Sequence, residues 1–117
     1  MNIESIREYC LSKKAVIESF PFGETTLVFK VCDKMFALMD IEGDLSINLK
    51  CDPGKALELR EKFPAVIPGY HLNKKYWNTV ILDGSVAEKQ IREWIDHSYD
   101  EVVKNLPRAK QKLLHTK

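Results

Sequence analysis

The chain has 117 residues, of which 44% are hydrophobic and 30% are charged. This length and composition are typical of one globular domain spanning residues 1–117, and they exclude a largely disordered chain. Lysine and arginine number 18 against 17 acidic residues, so the formal net charge of +1 argues against a protein that binds nucleic acid by overall charge alone, and a basic binding surface would have to be local.

The N-terminal segment predicts a short helix followed by a fixed turn. Asn2 can cap a helix over residues 2–13, in which Ile6 and Cys10 fall on the apolar face. A proline and a glycine then bracket Phe22, which predicts a turn that presents this aromatic ring.

Three strands follow, at residues 25–32, 35–41 and 45–51, joined by turns at 33–34 and 42–44. Apolar and polar residues alternate in the first and third of them. This alternation predicts an antiparallel meander with one buried face and one solvated face. It places two lysines on the solvated face, namely Lys30 and Lys50.

A second helix is predicted after the three strands. Asp52 as N-cap and Pro53 at the first helical position predict its start, and Pro64 predicts its end. A loop over residues 64–75 leads to a fourth strand at 76–82.

The last helix is predicted by a capping box formed by Ser85 and Glu88, followed by roughly five turns of apolar periodicity. Residues 107–117 form a basic tail in which a short helix is one option. The predicted order is therefore α-β-β-β-α-β-α, with a further short strand near Tyr70 left open. This order indicates an α+β two-layer sandwich, in which helices cover one face of an antiparallel sheet.

Residues that could act in catalysis or bind a metal show no recognisable motif in this sequence. The acids at 40–44 are interpreted as turn chemistry, and the three cysteines have no metal-site spacing with the histidines. Cys10 and Cys51 fall on apolar faces and are predicted to be core residues, although Cys32 or Cys51 near His71 stays a conceivable nucleophile. We expect that the protein has no enzymatic activity, no cofactor and no obligatory metal.

The same features bear on location. The residues after Met1 include Glu4, Arg7 and Glu8, so no signal peptide is expected. No run approaches the ~18 apolar residues of a membrane span. Three cysteines without CxxC spacing are typical of reduced thiols, so the sequence predicts a cytoplasmic protein without a membrane partner.

One segment, residues 68–82, interleaves cationic, aromatic and amide side chains. Its polar and aromatic members are Tyr70, His71, Asn73, Lys74, Lys75, Tyr76, Trp77 and Asn78. Lysine suits phosphate, asparagine suits base edges or sugar, and aromatic rings suit stacking, so the mixture is typical of nucleic-acid contact. A second interpretation is equally open: the aromatic residues anchor the loop to the core and the lysines form a solvated turn.

Five stretches of the sequence resemble the MmcQ/YjbR family of small bacterial proteins. They are PFGE (21–24), FKVCDKMFAL (29–38), INLKC (47–51), PGYHLNKKYWNTV (68–80) and HSYDEVV (97–103). The resemblance implies a fold like that of CyaY, the bacterial frataxin, and DNA binding through a double-wing sheet surface. The family positions carried onto this chain are Lys50, His71, Asn73, Lys74, Trp77, Asn78 and Ser98-Tyr99, and Tyr76 stands where the family often has histidine.

Several functional hypotheses follow. In the first, DNA is the partner: Lys30, Lys50, Lys74 and Lys75 contact phosphates, while His71, Asn73 and Asn78 contact sugar or base. In the second, the chain is a non-enzymatic protein- or small-ligand-binding module that uses the loop from His71 to Trp77. A third hypothesis, an enzyme based on His71, requires a pocket with a perturbed partner. Iron binding ranks lower, because the first helix offers only Glu4 and Glu8 as acids.

Overall fold

A computed structural model describes residues 2–43, 45–69 and 72–115. The helices are α1 (Ile3–Leu11), α2 (Pro53–Lys62), α3 (Glu88–Val103) and α4 (Arg108–His115). The strands are β1 (Val16–Ser19), β2 (Thr26–Val31), β3 (Lys34–Asp40), β4 (Ser46–Lys50), β5 (Val66–Pro68) and β6 (Trp77–Ile81). They form one antiparallel sheet in the order β1-β2-β3-β4-β6-β5.

The core lies between one face of this sheet and the helices. Strand register aligns Leu27, Met39, Ile47 and Val80 in a single row across four strands, and all four are buried. Residues of all four helices pack into the same cluster. The predicted α+β two-layer sandwich, with helices on one face of an antiparallel sheet, is confirmed.

The predicted element order was incomplete. The observed order is α-β-β-β-β-α-β-β-α-α, because β1 and β5 add one edge strand on each side of the sheet and α4 adds a helix after α3. β1 has four residues and β5 has three, too few for a period-two pattern to be recognised. The second of these strands lies at 66–68, before Tyr70, and Asp44, Tyr70 and His71 lie outside the described residues.

Two of the three predicted helix caps are observed. Asn2 forms a capping box with Ser5 at α1, and the Asp52 carboxylate accepts the backbone N–H of Lys55 at 3.2 Å at α2. The predicted capping box at Ser85 was wrong: α3 begins three residues later, after Ala87, with no side-chain cap. The Ser85 N–H is instead bonded to the carboxylate of the preceding turn.

The predicted basic tail is mostly a docked helix. In α4, Leu114 is 9% exposed and joins the main core cluster. The Gln111 side-chain amide donates to the backbone carbonyls of Lys104 and Leu106, at 3.2 and 2.7 Å, and so satisfies acceptors at the C-terminal end of α3. Residues 108–115 therefore belong to the folded body.

Candidate functional site

The face of the sheet opposite the helices, termed the open face, carries its own small apolar cluster. Val28, Leu38 and Trp77 are buried there, and Met35 and Leu72 pack against them. Trp77 is 9% exposed, so its ring is anchored beneath the loop that precedes β6 and is not free to stack on a ligand. The anchoring interpretation of Trp77 therefore fits the structure, and a stacking role does not.

Strand register places two of the predicted lysines at one end of the open face. Lys30 pairs with Met35, and Lys50 pairs with Trp77, whose ring lies on this face. Both lysines are partly exposed. Residues 72–76 lie at this same end of the sheet, because they directly precede Trp77, the first residue of β6.

The loop before β6 brings the other two predicted lysines to the same end. We call Lys30, Lys50, Lys74 and Lys75 together the basic end. Lys74 and Lys75 are exposed. Among the described residues, no carboxylate forms a salt bridge with any of the four. The basic end therefore presents four positive charges that no described carboxylate pairs with, on a chain whose formal net charge is +1.

Hydrogen bonds within the loop define what its side chains can still contact. The Lys74 ammonium donates to the backbone carbonyl of Gly69 at 3.0 Å, and the Asn73 side-chain oxygen accepts the backbone N–H of Lys75 at 2.9 Å. The Lys75 ammonium lies 5.5 Å from the centre of the Tyr76 ring. Among the described residues, the Lys75 ammonium forms no hydrogen bond, whereas the Lys74 ammonium also holds the loop closed.

A residue that the sequence did not indicate organises this loop. Arg60 of α2 donates from Nε to the side-chain oxygen of Asn78 at 2.6 Å, and from Nη2 to the carbonyl of Trp77 at 3.3 Å and to that of Lys74. One guanidinium therefore joins α2, the turn of the loop that contains Lys74 and the start of β6. Its planar fork of donors suits such a set of acceptors better than a lysine would.

Asn78 lies on the helix side of the sheet, contrary to its predicted contact with base or sugar. It is 3% exposed, and its amide nitrogen donates to the carbonyl of Ala56 in α2 at 3.2 Å. Alternation could have shown this, because Asn78 and the core residue Val80 are two positions apart on one strand. Asn78 is a structural residue, and the predicted position His71 lies outside the described residues.

The two family positions on α3 are also structural. Ser98 is fully buried, and its hydroxyl accepts the backbone N–H of Lys50 at 2.8 Å while donating to the carbonyl of Phe36. The Tyr99 hydroxyl donates to the carbonyl of Lys14 at 2.7 Å. Both side chains fix α3 to neighbouring segments and offer nothing to an external ligand on the open face.

A groove of about 280 Å³ occupies the rest of the open face. Its lining comprises Phe22, Thr26, Met35, Leu38, Asp40, Asn48 and Leu72. Asp40 is the last residue of β3. Its carboxylate accepts hydrogen bonds from the hydroxyls of Thr26 at 3.1 Å and Ser46 at 3.4 Å. The acids around residues 40–44 were interpreted only as turn chemistry, and the position of Asp40 on a groove was missed.

Two of the three thiols are poorly reactive, and the described residues show no grouped metal ligands. Burial raises the pKa of Cys10 to about 12 and that of Cys51 to about 11, so both thiols stay protonated and poorly nucleophilic near neutral pH. Within the described ranges, no three His, Cys, Asp or Glu side chains are grouped to hold a metal ion. No helix in those ranges has the length and apolar character needed to cross a bilayer.

Comparison with known proteins places these features in a family. The YjbR family model matches residues 11–101. The YjbR protein of Escherichia coli (strain K12) is 37% identical over 115 residues, which cover 97% of this chain and 98% of that protein. YbdF of Escherichia coli O157:H7 is 36% identical over 110 residues, covering 93% of this chain and 90% of YbdF.

Solved structures agree with the sequence relatives. The crystal structure of Deinococcus radiodurans protein DR2400, with a domain designated DUF419, superposes with a TM-score of 0.91 at 41% identity, covering 99% of this chain and 89% of that one. A Pseudomonas syringae protein superposes with a TM-score of 0.76 at 30% identity, covering 86% of this chain and 98% of that one. The chain belongs to the YjbR family.

Proposed function

We propose that this chain binds DNA through the basic end of the open face. The observation that carries the proposal is the strand register, which brings Lys30 and Lys50 to the end of the sheet where the loop bearing Lys74 and Lys75 enters β6. Cations gathered on one surface attract the phosphate backbone and release its counterions. A local patch of this kind does not need a basic protein overall.

The contacts divide by chemistry. Lys30, Lys50 and Lys75 take phosphates, and Lys74 takes a fourth from a position set by its bond to Gly69. Asn73 is exposed, and its amide nitrogen is left to reach sugar or base. Asn78 and Trp77 hold the loop in place and make no nucleic-acid contact. The proposal assigns no catalytic step to the chain, consistent with protonated buried thiols.

Salt dependence tests this proposal most directly. Fluorescence anisotropy of labelled duplex and single-stranded oligonucleotides would be followed as the salt concentration rises. Four phosphate contacts predict a slope of log K against log salt of about −3.6 for a duplex and about −2.8 for a single strand. Lys30→Ala, Lys50→Ala and Lys75→Ala should each make the duplex slope shallower by about 0.9.

A matched control comes from the helix layer. Lys89 is an exposed lysine in the first turn of α3, on the other side of the sheet. Lys89→Ala removes the same charge from the chain and should leave the slope unchanged. Absence of binding at low salt, or equal effects of Lys89→Ala and Lys50→Ala, would overturn the proposal.

A second candidate, a small-ligand- or protein-binding module, is favoured by the groove beside the anchored loop. Trp77 lies under that loop, and Trp94 is the other tryptophan of the chain. In a Trp94→Phe background, Trp77 alone reports on the open face. Ligand-dependent Trp77 quenching that salt does not alter would favour this candidate over DNA.

A further inference from the structure

We infer that the groove of the open face receives one unstacked guanine base of a single-stranded nucleic acid. The inference rests on the proposed function and names the base that the same surface selects. The groove of about 280 Å³ lies at the lower limit of ligand-site volumes, so it suits one planar ring system better than a larger molecule.

The apolar part of the groove provides surfaces for a flat ring. Phe22 is 65% exposed and stands on a turn in which Gly23 has a φ of 111°, so its ring is presented to solvent and not buried in the core. The buried Leu38 and the partly buried Met35 and Leu72 form further apolar walls of the groove. An exposed aromatic ring beside apolar walls matches a base stacked on one face, a contact worth about 1–3 kcal/mol in single-strand binding.

The Asp40 carboxylate in the groove lining requires hydrogen-bond donors from the occupant, whereas the lining amide of Asn48 already donates to the Leu38 carbonyl and accepts from Thr79. An ionised carboxylate only accepts hydrogen bonds, and its two oxygens offer about four lone-pair positions. In Asp40, one oxygen accepts from Thr26 and the other accepts from Ser46 at the longer distance of 3.4 Å, so each keeps an acceptor position. Among the described residues, no lysine or arginine forms a salt bridge with Asp40.

Guanine is the base that meets this requirement. Its Watson–Crick edge carries two adjacent donors, the ring N1–H and the 2-amino group, which can bond both oxygens of one carboxylate. Adenine and cytosine place a ring acceptor next to their amino group, and thymine flanks its N3–H with two carbonyl oxygens. In a two-point contact, one of those acceptors would face the Asp40 carboxylate and be repelled, so charge complementarity favours guanine, which can donate to both oxygens.

The position of the groove relative to the basic end fits one strand of nucleic acid. Ser46, which bonds Asp40, precedes Lys50 by four residues on β4, a separation of about 13 Å at ~3.3 Å per residue. Phosphates at the basic end can therefore lie along the sheet while a base turns into the groove. Duplex bases present their Watson–Crick edges to each other, so the groove selects a single-stranded or extruded base.

Four labelled oligothymidine strands that differ only in one central base test the inference. The strand with guanine should bind more tightly than those with adenine, cytosine or thymine by at least about fivefold, since a bidentate base contact is worth about 1–3 kcal/mol. Asp40→Asn should abolish this preference, because an amide replaces one acceptor with a donor. Glu24→Gln, which removes a nearby exposed acid outside the groove lining, should preserve it.

A second variant keeps the test independent of folding. Phe22 is largely exposed, so Phe22→Ala should leave the melting temperature unchanged and weaken binding of the guanine strand at least fivefold. Equal affinity for the four strands, with the salt dependence intact, would overturn the guanine site and leave the proposed function standing. Absence of salt-dependent binding to any strand or duplex would overturn both.

Discussion

Arg60 and Asn78 form a side-chain hydrogen bond that ties α2 to the strand beneath it. Arg60 Nε lies 2.6 Å from the Asn78 side-chain oxygen, while the Asn78 amide nitrogen donates to α2 through Ala56. The same guanidinium reaches the carbonyls of Trp77 and Lys74. The geometry of the basic end therefore depends on a residue on the opposite face of the sheet.

Replacement of Arg60 should destabilise the fold and disorder the loop. In Arg60→Met, the aliphatic packing is largely kept, but the Asn78 oxygen and the carbonyls of Lys74 and Trp77 lose their donor. Hydrogen bonds to charged groups contribute about 1.5–3 kcal/mol each, and water can replace part of that at the exposed carbonyl, so we expect a loss of about 2–3 kcal/mol in the free energy of unfolding. Urea denaturation measures it.

The control for this change is Arg92→Met. Arg92 makes an exposed pair with Glu88 at i,i+4 spacing on α3, worth about 0.3–0.5 kcal/mol, and its guanidinium lies 5.1 Å from the centre of the Tyr9 ring, a cation–π contact worth about 0.5–1 kcal/mol. Arg92→Met should therefore lose less than Arg60→Met. Equal losses in the two variants would contradict the role of Arg60. Arg60→Lys should recover only part of the stability, because an ammonium cannot reproduce the fork of donors.

Gly69 should not tolerate even a methyl group. A Cβ atom on Gly69 would lie 2.7 Å from the Cβ of Trp77 and 2.9 Å from its carbonyl oxygen, and neither neighbour is the flexible end of a side chain. We expect Gly69→Ala to lower the free energy of unfolding by about 1–3 kcal/mol, the usual range for overpacking. It should also raise hydrogen exchange at the Gly69 N–H, which is bonded to the Trp77 carbonyl at 2.9 Å.

Gly54 offers the matched glycine. It lies in the first turn of α2, and an added Cβ would meet only the Asp52 carboxylate at 3.4 Å, an ordinary contact. Gly54→Ala should stabilise the protein by about 0.4–1 kcal/mol, because alanine reduces the entropy of the unfolded chain. Similar destabilisation by the two substitutions would show that the close approach to Trp77 is not what constrains Gly69.

Alternation in the sequence was sufficient to predict the central strands and the two faces of the sheet, but neither the edge strands β1 and β5 nor the contacts that shape the loop. The period-two pattern places Lys30 and Lys50 on the open face because side chains alternate strictly along a strand. Arg60 could not be identified in this way, since its acceptors are two backbone carbonyls and an amide located 14 to 18 residues along the chain. The sequence of α2 itself does not indicate these distant acceptors.

The predictions for Asn78 and Ser85 were wrong for two different physical reasons. For Asn78, the polar side chain suggested exposure, and the strand pattern that contradicted it was overlooked. For Ser85, the spacing to Glu88 satisfied a helix-start motif, but the Asp83 carboxylate captured the Ser85 N–H in a turn. The side chain of Ser85 is the largest cause that lowers the pKa of Asp83, and the Ser85 N–H adds to it. Competing local hydrogen bonds, not helix propensity, set where α3 begins.

The buried hydroxyl of Ser98 should be a sensitive point of the fold. It bridges the backbone of β4 at Lys50 to that of β3 at Phe36, beyond the last paired residues of these strands, Ala37 and Leu49. Ser98→Ala leaves a buried donor and a buried acceptor unsatisfied, so we expect a loss of about 2–3 kcal/mol in the free energy of unfolding.

Ser98→Thr keeps the hydroxyl but adds a methyl group at a fully buried site, and it should lose about 1–3 kcal/mol through overpacking while preserving the bridge. Amide exchange separates the two effects. The Lys50 N–H should exchange faster in Ser98→Ala and remain protected in Ser98→Thr. A protected Lys50 amide in Ser98→Ala would contradict the bridging role.

His97 should make the stability of the protein depend on pH in a narrow window. Its Nε2 accepts the backbone N–H of Asp52 at 3.2 Å, which requires a neutral ring. Burial is the largest cause that lowers the pKa of His97 in the folded protein, and the positive charge of Lys55 adds to it. An unfolded chain has the ordinary histidine pKa of about 6.5.

The sign of the effect follows from proton binding. Above about pH 6.5, both states leave His97 neutral, and its contribution to stability is fully present. As the pH falls from about 6.5 to the lower folded pKa, the unfolded state binds the proton first, so the free energy of unfolding decreases by up to about 1.4 kcal/mol per pH unit. Below the folded pKa, this contribution stops changing.

The measurement compares His97→Gln with the parent protein by urea denaturation between about pH 5.5 and 7.5, where histidines titrate and carboxylates stay ionised. Glutamine can accept the Asp52 N–H through its side-chain oxygen without titrating, so its profile should be flatter than that of the parent. The other two histidines are present in both proteins, and their contributions cancel in the difference. Parallel profiles for the two proteins would mean that His97 does not gain a proton on unfolding.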